Sequence, residues 1–290
     1  MIQWFPGHMT KAKRTLQETA PLVDVVLEIV DSRCPPASRN PDLVALVATK
    51  PRIMVLNKAD LADPVQTRAW VERYRQEGTL AVSLDAVKGT GVKEVLAAVR
   101  EAYAPRLADW VARGRKPRPG RVMAIGIPNV GKSSVINRLV GRNKLHVGNK
   151  PGVTRGKQWV RITTDVELLD MPGILVPKFD DQWEATLLAA IGCVKEEVID
   201  VPDVAGKLLP FLWSNAEGAL RERFGLESLH DDPLANFAEM ARKRGLLRGG
   251  GVPETEKVAA MLLKEFREGK LGRLTLQRPA GDGALPGDFL

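Results

Sequence analysis

At 290 residues and 31.8 kDa, with 44% hydrophobic and 27% charged residues, the chain has room for one sizeable domain plus a smaller one and the composition of a soluble globular protein. No apolar run approaches the roughly 18 residues of a membrane span, and the opening Met1-Ile2-Gln3-Trp4-Phe5-Pro6-Gly7-His8 lacks the apolar core of a signal peptide. The two cysteines, Cys34 and Cys193, stand far apart without metal-ligand spacing, so a reducing compartment is expected: a bacterial cytoplasm, or else an organelle matrix.

The net charge of +8 is unevenly spread. Residues 1–178 carry 29 Lys and Arg against 16 Asp and Glu, whereas residues 179–290 carry 14 against 19. Basic stretches lie at Lys11, Lys13 and Arg14, along Arg113–Arg121, and at Arg242-Lys243-Arg244. One such stretch reads as a solvated face; three in a protein of pI 9.6 favour a polyanionic partner, nucleic acid above all.

In chain order, Thr10–Thr19 reads as a short helix, and Val23–Val30 as a buried strand. A β-rich run over Arg52–Leu56 delivers Asn57 at its carboxyl end. A helix opens at Pro64 and reaches about Gln76, Leu80–Ser83 is a short strand, and a helix follows from roughly Val92 to Arg113. The Pro/Gly/Arg-rich residues 113–121 read as a linker. A strand at Val122–Ile125 then feeds a glycine-rich loop and a helix over Ser133–Leu139. Trp159–Thr163 and Val166–Leu169 form a hairpin-like pair. Strands alternating with helices predict an α/β fold, a mostly parallel sheet covered on both faces, with ligands beyond the strands' carboxyl ends. After Pro177 the periods become helical, over Glu184–Cys193, Glu217–Phe224, Pro233–Arg244 and Glu254–Glu268, and the tail from Gln277 is expected to be poorly ordered.

The chemistry lies in loops. Gly126-Ile127-Pro128-Asn129-Val130-Gly131-Lys132-Ser133 matches a phosphate loop, strand before and helix after. Its backbone N–H groups and helix N-terminus suit a polyphosphate, with Lys132 placed to bridge the β- and γ-phosphates and Ser133 to hold Mg²⁺; Ser134 follows in the same turn. Asn57-Lys58-Ala59-Asp60 reads as a guanine tetrad. Asp60 can accept two hydrogen bonds from guanine, and adenine would leave it unpaired at roughly 1–3 kcal/mol or more. Asn57 would act near the other purine edge, and the Lys58 stem over its face. Asp85-Ala86-Val87-Lys88-Gly89-Thr90-Gly91 resembles the Ser-Ala loop that backs guanine, with Asp85 in place of serine and the Ala86 backbone as the contact. Asp170-Met171-Pro172-Gly173 fits a switch sequence in which Asp170 reaches Mg²⁺ through water and Gly173 senses the γ-phosphate; Thr154 is the candidate switch threonine on Mg²⁺. The tetrad precedes the phosphate loop, the reverse of the ordinary order.

With these motifs, the Trp4–Met9 segment, Asp31-Ser32-Arg33 and Gly269–Arg273, the chain resembles the circularly permuted GTPases of the ribosome biogenesis GTPase A (YlqF) family over nearly its whole length. The resemblance implies a permuted P-loop G-domain over residues 1–178, comprising a base-recognition half (1–112), the linker (113–121) and a phosphate-loop and switch half (122–178). A smaller all-helical RNA- or ribosome-binding domain over 179–275 and a disordered tail over 276–290 would complete a monomer. It implies GTP and GDP as ligands, Mg²⁺, and late maturation of the large ribosomal subunit through its precursor and rRNA. Ile174 stands where many GTPases place a water-orienting glutamine, and an aliphatic side chain cannot orient water. By resemblance His8 supplies the missing group on the ribosomal particle; the plainer alternative is that it anchors the N-terminal segment. Asn129 either helps hold K⁺ near the phosphates, as in similar potassium-activated GTPases, or is a turn residue. Two other functions stand beside this one: a GTP-binding RNA placeholder with little catalysis, and a GTPase acting on other RNA.

Overall fold

Seven consecutive buried residues, Val25–Asp31, form β1. Such an unalternating β-branched run suits a strand covered on both faces. In the computed structural model, which describes residues 14–141, 158–170 and 182–279 (Gln158 and Asp170 by backbone alone), β1 lies at the middle of a six-stranded sheet. The other strands are β2 (Arg52–Asn57), β3 (Leu80–Leu84), β4 (Gly120–Ile125), β5 (Gln158–Thr163) and β6 (Val166–Asp170), in the spatial order β3-β2-β1-β4-β6-β5. All pair in parallel except the edge strand β5. Parallel β1 and β4 bring the two halves of the chain side by side, with Val25 opposite Val122. Asp31, Asn57, Leu84 and Ile125 therefore end their strands at one edge of the sheet.

Residues 14–19 are helical and bury Leu16. The helix α1 (Pro41–Leu46), which no periodicity predicted, is capped by Asn40 Oδ1 accepting from Leu43 N. α2 (Pro64–Gln76) starts where Asp63 accepts from the N–H groups of Val65 and Gln66, with Pro64 at the first turn. α3 (Val92–Ala112) packs Val95, Val99 and Tyr103 on the sheet, and α4 (Lys132–Val140) follows the glycine-rich loop.

At the sheet's amino end, composition misled. Gly120 and Arg121, expected in the linker, begin β4 opposite Val166 and Glu167. The buried Asp24 carboxylate accepts from both Arg118 Nη atoms at 2.7 and 3.0 Å and from the Arg121 N–H at 2.9 Å, and pairs with Arg106 Nε at 2.8 Å. Arg118 also lies 4.4 Å above the Trp110 ring. A basic Pro/Gly run reads as a spacer until a buried acid supplies its counter-charge.

The C-terminal part is helical, with α5 (Gln182–Ala190), α6 (Val201–Phe224), α7 (Pro233–Lys243) and α8 (Thr255–Arg267) and one short ladder between β7 (Leu247–Arg248) and β8 (Val252–Pro253). The expected helix Glu217–Phe224 is only the end of α6. That helix begins sixteen residues earlier at an Asp200 cap and continues past Pro210 and a kink at Ala216. Leu188, Leu212, Phe224, Phe237, Leu262 and Phe266 join Leu27, Ile53 and Val122 in one continuous core.

Beyond α8 the chain returns to the sheet. Leu276 and Gln277, expected in a disordered tail, are held there. Leu276 N donates to Arg33 O at 2.6 Å, Gln277 Oε1 accepts from Ala37 N at 2.9 Å, and Gln277 O accepts from Trp70 Nε1 at 2.7 Å.

Candidate functional site

β4 runs directly into Gly126, which adopts φ +148°; a Cβ there would lie 2.4 Å from Ile29 O. Gly131, at φ +93°, is equally constrained, since its Cβ would meet Asn57 Nδ2 at 2.3 Å. Between them Asn129 takes the left-handed conformation at φ +62°. These positions turn the loop into a cradle ahead of the α4 N-terminus, which suits an anion. Lys132 Nζ donates to Ile127 O at 2.5 Å across the cradle. Burial, opposed among the described residues by Cys193, pushes its ammonium down to about 8. A buried cation facing a neutral carbonyl is a strong attractor for phosphate oxygens. Ser133 and Ser134 are exposed on the first turn of α4.

The tetrad meets this loop directly. Asn57 Nδ2 donates to Val130 O at 2.8 Å, and Lys58, itself at φ +58°, donates from Nζ to Asn129 O at 2.6 Å and pairs with Asp31 Oδ2 at 3.0 Å. Asp60 lies in the turn after β2, half-buried. Among the described residues, Asn57 Oδ1 and Ser32 Oγ are buried without a protein partner, polar atoms open to a ligand or water. The cradle, the unpaired ammonium and these orphaned atoms fit a guanine nucleotide.

Asp85 does a different task from the one its position suggested. Its Oδ1 accepts from the N–H groups of Val87 and Lys88, both at 2.9 Å, so the carboxylate folds its own loop as a serine hydroxyl would. Ala86 O accepts from Arg138 Nε at 2.8 Å, which fixes this peptide against the helix that follows the phosphate loop. Asn129 Nδ2 donates to Gly192 O at 2.9 Å, leaving Oδ1 as the atom a cation would take. His8, Thr154 and Gly173 lie outside the described residues, as does the side chain of Asp170, whose backbone closes β6 beside β4.

Asp31 and Arg33, read in the sequence only as part of the Asp31-Ser32-Arg33 family segment, tie the candidate site together. Asp31 accepts two bonds from the Arg33 guanidinium, at 2.9 and 2.8 Å, and one from the Arg33 N–H at 3.1 Å, besides holding Lys58. Burial alone would raise its carboxyl, but Arg33 and Lys58 overturn that and hold it well below the usual carboxylate range. Arg33, fully buried, also donates to Ile191 O at 3.2 Å and stacks on Phe266 at 5.6 Å. The tetrad, the phosphate loop and the helical part thus share one polar network. The only sequence signal was an Asp-x-Arg closing a strand with no exposed face.

A family model described as 50S ribosome-binding GTPase matches residues 121–211. The ribosome biogenesis GTPase A of Bacillus cereus is 42% identical over 279 residues, covering 96% of this chain and 94% of that protein. Among solved structures, GNP-bound YlqF from T. maritima matches with a TM-score of 0.66 at 30% identity, over 93% of this chain and 99% of that one. The GDP-bound form gives 0.64 at 28% identity, over 92% and 99%.

Proposed function

The chain belongs to the ribosome biogenesis GTPase A family, and from that premise we propose that it is a GTP-hydrolysing assembly factor for late maturation of the large ribosomal subunit. It binds the precursor particle and its rRNA while GTP is bound, and the particle stimulates hydrolysis. The observation that carries this reading is the pair of contacts from Lys58 Nζ, a hydrogen bond to Asn129 O and an ion pair with Asp31, which brings the tetrad against the phosphate loop from 71 residues away.

In that site Asn57, Lys58 and Asp60 select guanine, the Gly126–Gly131 backbone and Lys132 hold the phosphates, and Ser133, Thr154 and Asp170 form the Mg²⁺ donor set. Mg²⁺, when bound, spreads the charge that develops on the transferred phosphoryl group. Gly173 contacts the γ-phosphate, and His8 replaces the water-orienting group that Ile174 cannot supply. Loss of the γ-phosphate contact releases the helical part, with Asn129 on Gly192 O and Arg33 on Ile191 O as the links that transmit it. Asn129 Oδ1 takes K⁺ beside the phosphates. Ile174 also suits a second reading, a placeholder that holds GTP with little turnover.

Single-turnover GTP cleavage by wild type and His8→Ala, with large or small subunits and in KCl or NaCl, separates these readings. Large subunits alone are expected to stimulate wild type, more in KCl, and His8→Ala to lose about 100-fold or more of that stimulation. No stimulation would favour the placeholder, and equal stimulation by small subunits a different RNA target. A fully stimulated His8→Ala removes the histidine's role.

A further inference from the structure

The loop that carries Asp60 is held mainly from outside the base-recognition half. Arg273 donates from Nη2 to Ala59 O at 2.7 Å and from Nε to Ala62 O at 3.0 Å, bracketing Asp60. Leu274 N donates to Leu61 O at 3.1 Å, and Thr275 Oγ1 accepts from Asp63 N at 3.1 Å. Four backbone groups of residues 59–63 are thus tied to three successive residues of the C-terminal segment. Among the described residues of its own half, the loop is held by Ala59 N on Leu84 O, Leu61 N on Lys58 O and the α2 cap. Gly269 closes the approach, since a Cβ there would meet Leu61 Cδ2 at 2.9 Å.

We infer that residues 273–277 are a positioning strap for the base pocket, and that Arg273 sets guanine specificity by fixing the backbone on both sides of Asp60. A carboxylate discriminates guanine only if both oxygens meet the ring N–H and the exocyclic amine together. A loop free to shift by a fraction of an ångström keeps general purine affinity and loses that discrimination. The strap leaves the end of α8, so whatever holds the helical part also acts on base affinity. By linkage, base occupancy acts back on the helical part. This route runs from the base rather than from the γ-phosphate, so it operates in the GDP state as well.

The inference rests on Asp60 as the guanine reader. The test measures equilibrium binding of GDP and inosine diphosphate, which lacks the exocyclic amine, to the full chain as wild type, Arg273→Ala, Arg273→Lys, Thr275→Val and Asp60→Asn. Arg273→Ala is expected to lower the GDP preference about fivefold or more while inosine diphosphate binding stays within about twofold. Lysine, which reaches one carbonyl but not two, should restore part of it. Thr275→Val removes a single bond and should lower the preference less; it decides the matter if Arg273→Ala does not fold. An unchanged preference in the folded strap variants, even with both affinities weakened, overturns the strap's role in specificity. If Asp60→Asn also left the preference unchanged, the reading of Asp60 would be what failed.

Discussion

The two ends of the same sheet treat buried charge in opposite ways. At the amino end Asp24 is saturated: two arginines and a backbone N–H converge on one carboxylate, and the chain is closed there. At the carboxyl end Lys132 faces a neutral carbonyl, while Asn57 Oδ1 and Ser32 Oγ have no partner among the described residues. Both ends use ordinary polar residues at strand termini. Among the described residues, one end is finished by the protein itself, and the other keeps polar groups open for a ligand.

The sharpest way to break that contrast is Asp24→Ala. It removes the shared acceptor and should cost about 2–4 kcal/mol, towards the lower figure because Arg106 and Arg118 are 41% and 23% exposed and water screens them. Urea unfolding should record the loss, with GDP affinity within about twofold of wild type. A collapse of GDP affinity would show that the two ends are not independent.

A pH series sharpens the other side. The Lys132 ammonium is lowered from 10.5 to about 8 in the folded protein, so between those values the unfolded chain holds more protons. Stability of the free protein should therefore rise with pH across that window, by at most about 1.4 kcal/mol per pH unit. Phosphates restore a charged partner, so nucleotide binding should take up a proton and weaken by up to about tenfold per pH unit above pH 8. Titration calorimetry in two buffers of different ionisation enthalpy measures that uptake, which Lys132→Met should abolish.

The smallest effect is expected from Arg100→Ala. Its bidentate pair with Asp165 is near the amino end but about half exposed on both sides, so the loss should be about 0–1 kcal/mol by thermal unfolding. A larger loss would mean that surface pairs matter to this end as much as the buried Asp24.

Most of the sheet and the heart of the site could be read from the chain because their signals are local. β-branched runs mark β1, β2 and β4 wherever they pack, and glycine spacing marks the phosphate loop. What stayed hidden depends on distant partners. The first three turns of α6 carry Pro202, Gly206 and Pro210, a poor helix by propensity, yet an Asp200 cap and the burial of Leu208, Leu209 and Leu212 stabilise it. Arg273-Leu274-Thr275-Leu276-Gln277 has no period of its own, because its shape is set by carbonyls more than 200 residues earlier. That Asp85 folds its own loop was hidden because its partners, the N–H groups of Val87 and Lys88, are not visible in composition.

The pairing of β1 with β4 also fixes a timetable. Translation at about 5–20 residues per second delivers β4 roughly 5–20 s after β1. Throughout that interval the future central strand has one edge without a neighbour and is apolar on both faces, the configuration most prone to pairing with another chain. A nascent chain stalled before residues 120–125 thus carries its base-recognition loop complete in sequence while Lys58 still lacks the Asn129 carbonyl that orders it.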